Sequence, residues 1–429
     1  MDHASKPSAR LPSAARLIAL ALLVVGVTWY RRPDQFSHPY VWVEDGVANL
    51  PQYIADGWWF VLQPVAGYFS VPIRVLFGLA VSISFRWLPE IAVVLTLLFC
   101  YGVVAAVALA PTRLRHRFLC AASVLLVPTS SEVFGVSLYV GWWGSLLAIL
   151  PLLWPLGARG HVPLRSGLLA LGGLSTPIAI GLLPLYVVRL LVRRSGADGW
   201  LAVLCGALSA VQLAALWYRG PMAQGSGTTP TADAALDVAG HFFGQYLVGS
   251  VTLPPSPLYP WLGLGLIAVI AACAYARRTD LDWPFVALAG CLVLTITITV
   301  ARVAPEMLHP FLAGARYFFL PYVMLSWLLL QLLDRRRPVT TALCAAALLL
   351  TLPTVWMYGP QTHQPIDWRA HVERCLTSDS HVFPVHYEGD SFHKLMWDVT
   401  VSGAGCRQLV ARSLFAGHPA KTGGGAAPR

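Results

Sequence analysis

Long apolar stretches separated by short basic loops run through most of the chain. Residues 14–30, 89–110, 200–218, 258–276, 283–303 and 339–357 each approach the roughly 20 apolar residues that a membrane-crossing helix requires. Further apolar runs lie at 118–130, 139–156 and 317–333, and a tight apolar hairpin surrounds Ser175-Thr176-Pro177. Arg113, Arg115 and Arg117, then Arg189, Arg193 and Arg194, then Arg277-Arg278 and Arg335-Arg336-Arg337 punctuate these runs. Placing those basic loops on the inner side threads the chain as about eleven crossings, N-terminus inside and C-terminus outside.

Two stretches break the pattern. Residues 67–85 are apolar enough to span, but Pro72 and Arg74 lie within them. A crossing there would move every later basic loop to the outside. The stretch is therefore expected to lie on the external membrane surface. The same holds for residues 47–62, where Trp58 and Trp59 suit the headgroup zone. Residues 219–257 form a second external segment, with a short helix expected near 233–246.

Composition fixes the class. At 56% hydrophobic and 12% charged, with a mean hydropathy of +0.62, the chain is too apolar for a soluble protein. The net charge of +10 resides in the loops, so it is an orientation signal and implies no nucleic-acid partner. Lys6, Arg10 and Arg16 before residues 17–27 look like a secretory signal, but no small-x-small cleavage site follows. An uncleaved anchor is the better reading. The expected organisation is a cytoplasmic stretch (1–13), a transmembrane module (14–357) with its first external loop at 31–87, a small external domain (358–415) and a disordered tail (416–429). Val382 to Val385 and Trp397 to Val401 read as short strands of that domain. Six cysteines lie in or beside apolar runs as packing residues. Cys375 and Cys406 either pair, if the domain is external, or remain two thiols.

Acidic residues are scarce, 20 in 429, and two adjoin at Glu44-Asp45 just beyond the first apolar run. Carboxylates beside a membrane helix and among aromatics are expensive to desolvate and ask for a reason. One reason is helix capping near Gly46. The other is chemistry, with Asp45 as a general base and Glu44 orienting the substrate or serving as base in its place. Arg316, with Tyr317, stands where an apolar run begins. It is either a snorkelling arginine or a cation for a phosphate. Arg74 and Arg302 are further candidates for that role. Glu132 precedes Tyr139, Trp142 and Trp143, a combination suited either to holding a sugar or to an interfacial aromatic belt. Tyr68 follows Gln63-Pro64-Val65-Ala66-Gly67 and belongs to the same face. The tail histidines match no zinc spacing. The chain contains no Walker loop, dinucleotide-binding turn, serine elbow or HExxH motif.

The order of these features resembles the GT-C superfamily of polytopic glycosyltransferases. The resemblance rests on Glu44-Asp45, on the segment from Pro64 to Arg74 and on Gly314-Ala315-Arg316-Tyr317-Phe318-Phe319-Leu320-Pro321. It implies an acidic catalytic residue in the first external loop, followed by two juxtamembrane helices. It also implies a sugar donor carried on a polyprenyl phosphate and a glycan or lipid acceptor on the outer face of the cytoplasmic membrane. The expected sites are Asp45 and Glu44 for catalysis, Arg316, Tyr317, Arg74 and Arg302 for the donor phosphate, and Glu132, Trp142, Trp143 and Tyr68 for the acceptor or sugar. No second DxD-type motif occurs in a later external loop, since Asp280-Leu281-Asp282 falls in a basic loop placed on the inner side, so neither a metal nor another cofactor is expected. A lipid-linked sugar flippase, and a polymerase or ligase using a pyrophosphate-linked donor, are the rival readings.

Overall fold

The computed structural model describes residues 14–155, 161–218, 232–249, 256–303, 308–311, 314–388 and 394–415. The expected cytoplasmic stretch 1–13 and the tail 416–429 lie outside the described residues, as do Glu306, His393 and His418.

The chain is a helical multi-pass membrane protein. Among the described residues, six helices are long and apolar enough to cross a bilayer: Ala14–Arg31, Leu88–Leu109, Gly196–Tyr218, Tyr259–Ala276, Trp283–Arg302 and Pro338–Tyr358. Each coincides with an expected span. Shorter apolar helices cover Ser137–Leu153 and Arg316–Leu332, and the hairpin at Ser175 joins Val162–Gly173 to Ile178–Arg193. Helix Val71–Ile83 has 13 residues. At 1.5 Å per residue it reaches about 20 Å, comparable to the 12-residue helix Val162–Gly173, and it carries the buried Arg74.

One expected span differs. Residues 118–130 were expected to be a single crossing, but the helix there is Arg117–Leu125, nine residues long. Beyond it the backbone is irregular and buried, with Pro128 in its path. Buried carbonyls need donors. Arg31 supplies them: its guanidinium donates to the carbonyls of Val127 at 2.5 Å and Thr129 at 3.0 Å, and packs 4.3 Å over the Phe134 ring. The end of the first helix thus holds the loop that carries Glu132.

Helix Arg316–Leu332 is buried along nearly its whole length. A helix that is apolar on every side belongs inside a bundle. It packs between Trp283–Arg302, Pro338–Leu350, Arg117–Leu125 and Val140–Ile149. Its first residue, Arg316, is fixed by that burial.

The last part of the chain folds as helix Trp368–Thr377, strands β1 (Ser380–Glu388) and β2 (Lys394–Ser402), and helix Gly403–Arg412. The strands are antiparallel, with Phe383 opposite Val399 and Val385 opposite Trp397. Phe383, Val385, Val399 and Val401 alternate inward, as a half-buried hairpin requires. Asp367 and Ser402 cap the flanking helices through the amides of Ala370 and Gly405. Cys375 and Cys406 form a disulfide, which resolves the two alternatives for that pair. The subdomain is seated on the first loop. Trp368 Nε1 donates to the Phe85 carbonyl at 2.9 Å, and Arg86 pairs with Glu373 at 2.7 Å. Val385 occupies the space beside Gly46, where a Cβ would lie 2.6 Å from its methyl carbon.

Candidate functional site

The acidic pair opens a helical run. Residues Asp45–Asn49 form a π-helical turn, and the Leu50 amide returns to the Asp45 carbonyl. Pro51 follows and has no N–H to continue a regular ladder. The widened turn brings Asn49 alongside Asp45, with Nδ2 donating to Oδ1 at 2.7 Å. Ser137 Oγ donates to Oδ2 at 2.5 Å. Asp45 is almost wholly buried, and burial pushes its carboxyl up to about 6, against the opposing bonds from Ser137 and Asn49.

Glu44 is the less buried member of the pair, although its Oε2 is shielded from solvent. It is half-buried, and its Oε2 accepts no hydrogen bond. Burial raises its carboxyl above the usual range. The charge of Arg316 works against that shift, the charge of Glu132 works with it, and the Trp42 side chain donates to the carboxylate. Glu44 occupies the N-cap position but makes no capping bond, so the capping alternative is not realised there. Arg32, paired with Asp34 at 2.8 Å, lies 5.9 Å from the Trp42 ring and backs it from beneath.

Three separate segments meet opposite this turn. Glu132 Oε1 lies 2.6 Å from Arg316 Nη1 and accepts from the Tyr139 hydroxyl at 2.6 Å. Its Oε2 accepts from the Arg316 backbone amide at 3.2 Å, at the start of helix Arg316–Leu332. The carboxylate therefore compensates both the guanidinium and a helix N-terminus. Arg316 keeps a quarter of its side chain exposed. It stacks over Tyr317 at 5.1 Å, and Tyr317 meets the half-buried Trp142 edge-on at 5.6 Å.

Tyr68 comes from a tight turn. Val65 and Tyr68 exchange backbone bonds of 2.8 and 3.0 Å around Gly67, whose φ of +81° suits glycine. The Tyr68 phenol lies within the fields of Arg302, Arg316 and Glu44. Burial raises its pKa and Arg302 opposes that shift. Arg302 ends helix Trp283–Arg302 as an exposed side chain. The expected residues Glu44, Asp45, Tyr68, Glu132, Trp142, Arg302, Arg316 and Tyr317 thus gather around one region.

Two expected residues do not join them. Arg74 is fully buried and hands its guanidinium to the Phe60 carbonyl and to Gln52. It braces helix Val71–Ile83 against helix Leu50–Asp56 and the turn Gly57–Leu62 and is not presented to a phosphate. Trp143 is also buried, with Nε1 bonded to the Val133 carbonyl at 2.8 Å and its ring against Phe134 and Phe319. It is a core residue, not a sugar platform. Sequence reasoning missed the contributions of Asn49, Ser137 and Trp42. Only Asn49 carried a signal, four residues after Asp45 on a helix. Among the described residues no group of three or more His, Cys, Asp or Glu is disposed to hold a metal.

No family model matches the chain, and no curated protein or solved structure matches it.

Proposed function

We propose that the protein is a GT-C type glycosyltransferase. It moves a sugar from a polyprenyl phosphate to a glycan or lipid acceptor outside the cytoplasmic membrane. The observation that carries the reading is the convergence of Glu44, whose Oε2 has no hydrogen-bond partner, with a quarter-exposed arginine, Arg316, that Glu132 and Tyr139 hold in one orientation.

In this reading the acceptor hydroxyl attacks the anomeric carbon and its proton passes to Glu44. The sugar–phosphate C–O bond breaks, and its electron pair leaves with the lipid phosphate. Arg316 keeps Nη1 on Glu132 and offers its remaining edge to the phosphate, with Arg302 as a second cation nearby. Geometry exchanges the roles expected for the acidic pair. Asp45 has both oxygens occupied and no exposure, so it acts as a positioning residue. Glu44 retains a free oxygen for the proton. Trp142, Tyr317 and Tyr68 supply the aromatic surroundings of the sugar.

The outer-face assignment draws on the disulfide. Such bonds persist in oxidising compartments, and the subdomain that bears Cys375–Cys406 packs onto the acidic turn. Eleven crossings with the N-terminus inside keep this face outward. The irregular segment after Arg117–Leu125 completes its crossing within protein, where buried non-helical backbone is tolerated.

The test is incubation of the purified protein in lipid with radiolabelled polyprenyl-phosphate sugars and candidate acceptors, with Glu44→Gln and Asp45→Asn in parallel. Transfer that is lost in Glu44→Gln supports the reading. Donor binding without turnover in all three proteins would move the assignment to a lipid-linked sugar flippase.

A further inference from the structure

A cavity of about 190 Å³ lies along the seam between the first loop and the C-terminal subdomain. One wall is aromatic, from Tyr53 and the half-exposed Trp58, whose rings meet edge-on at 6.3 Å. The other is polar. It comes from helix Gly403–Arg412, where the Gln408 side-chain oxygen accepts from the Arg412 guanidinium at 2.9 and 3.0 Å and leaves the amide NH₂ as a donor. Ser82, bonded to the Tyr53 hydroxyl at 2.8 Å, lies at the floor. The space is far larger than one water needs. Flat aromatic faces opposite an amide and a guanidinium match a sugar ring, which has apolar C–H faces and a hydroxyl rim. Trp59, more exposed than Trp58, is the residue that suits the headgroup zone instead.

The cavity is coupled to the acidic turn by the chain itself. Tyr53 follows Asp45 on one helical run, about 12 Å along its axis. The same subdomain that builds the polar wall covers Gly46 through Val385. We propose that this seam is the acceptor groove and that the acceptor is a glycan chain. A unit behind the reacting hydroxyl rests between Trp58 and Gln408–Arg412, while the terminal unit reaches Glu44. The proposal deepens the glycosyltransferase reading and rests on it for the direction of transfer.

The experiment uses pentose and hexose oligosaccharides of one to four units with the full-length protein in nanodiscs. Saturation-transfer NMR reads binding, and the transfer assay reads KM and kcat against acceptor length. Longer acceptors are expected to lower KM at least tenfold, and Gln408→Ala, Arg412→Ala and Trp58→Ala to abolish that gain with kcat unchanged. A KM independent of length, or a length effect that survives in Gln408→Ala and Arg412→Ala, overturns the groove while leaving the transferase standing. If no donor supports transfer, the function above fails. Saccharide binding that is lost in the three variants then still supports the groove, and absence of binding by every saccharide overturns it.

Discussion

Glu132 and Arg316 are 184 residues apart in sequence and 2.6 Å apart in space. Their contact ties the irregular loop held by Arg31 to the first turn of the most deeply buried helix. Each partner is useless to the proposed chemistry without the other. Glu132 prevents the guanidinium from turning toward Glu44, and the backbone amide of Arg316 keeps Glu132 from rotating away.

Arg316→Lys keeps the charge but loses the planar fork. Donor KM is expected to rise about tenfold or more, while Arg316→Ala lowers transfer by about 10²-fold or more, the usual range for removing a charge-stabilising group. Steady-state kinetics with varied donor concentration separate the two effects. An unchanged donor KM in Arg316→Lys would remove the phosphate from this arginine.

The acidic pair is expected to divide its labour. Glu44→Gln lowers kcat by about 10²–10⁴-fold, the range for losing a general base. Asp45→Asn keeps most of its hydrogen-bonding pattern and loses less. Single-turnover rates at saturating donor decide the order. If Asp45→Asn is the more damaged, Asp45 is the base and Glu44 the orienting residue.

Both acids have raised carboxyls, so kcat/KM is expected to climb with pH above the ordinary carboxylate range. Stability runs the other way. Asp45 binds its proton more tightly when folded, so between its usual value of 3.8 and about 6 the folded state holds more protons than the unfolded one. Stability from this group is full below 3.8 and is lost as pH rises through 6, about 3 kcal/mol in order of magnitude. Thermal unfolding between pH 4 and 8 should show that decline in the wild type and a flatter profile in Asp45→Asn. Parallel profiles in the two proteins count against a buried, protonated Asp45.

Gly46→Ala places a Cβ against Val385. It should lift the hairpin from the acidic turn and lower kcat, and Val385→Ala in the same chain should restore much of the loss. A double-mutant cycle measures that coupling. Additive effects would mean that the hairpin and the turn are energetically independent.

The Cys375–Cys406 bridge closes a 31-residue separation, for which chain entropy gives about 3–4 kcal/mol. Cys375→Ser is expected to melt the subdomain early. In sealed vesicles, impermeant maleimide should label these cysteines only after reduction. In right-side-out vesicles, labelling that appears only after the membrane is permeabilised would put the subdomain in the cytoplasm and invert the proposed topology.

Hydropathy and loop charge made most helices legible, because an apolar run of bilayer length has few alternatives. The runs Val382 to Val385 and Trp397 to Val401 were legible as strands, and both lie within the observed hairpin. The nine-residue helix at Arg117–Leu125 was not legible, since its continuation is stabilised by Arg31, remote in sequence. Arg74 and Trp143 misled for a related reason. Residue type suggested function, but burial depends on what the rest of the chain brings alongside. The functional reading of Glu44-Asp45 came from scarcity and position. Which of the two carboxylates keeps an oxygen without a hydrogen bond depended on Ser137 and on a π turn, and neither leaves a trace in local composition.

The hairpin over Gly46 also has a bearing on timing. The acidic turn emerges early in synthesis, whereas Val385 arrives only after every apolar helix has been made. A nascent chain therefore holds Glu44 and Asp45 without this cover until translation has passed Val385. The packing of Val385 against Gly46 is thus among the last contacts the acidic turn can gain as the chain is made.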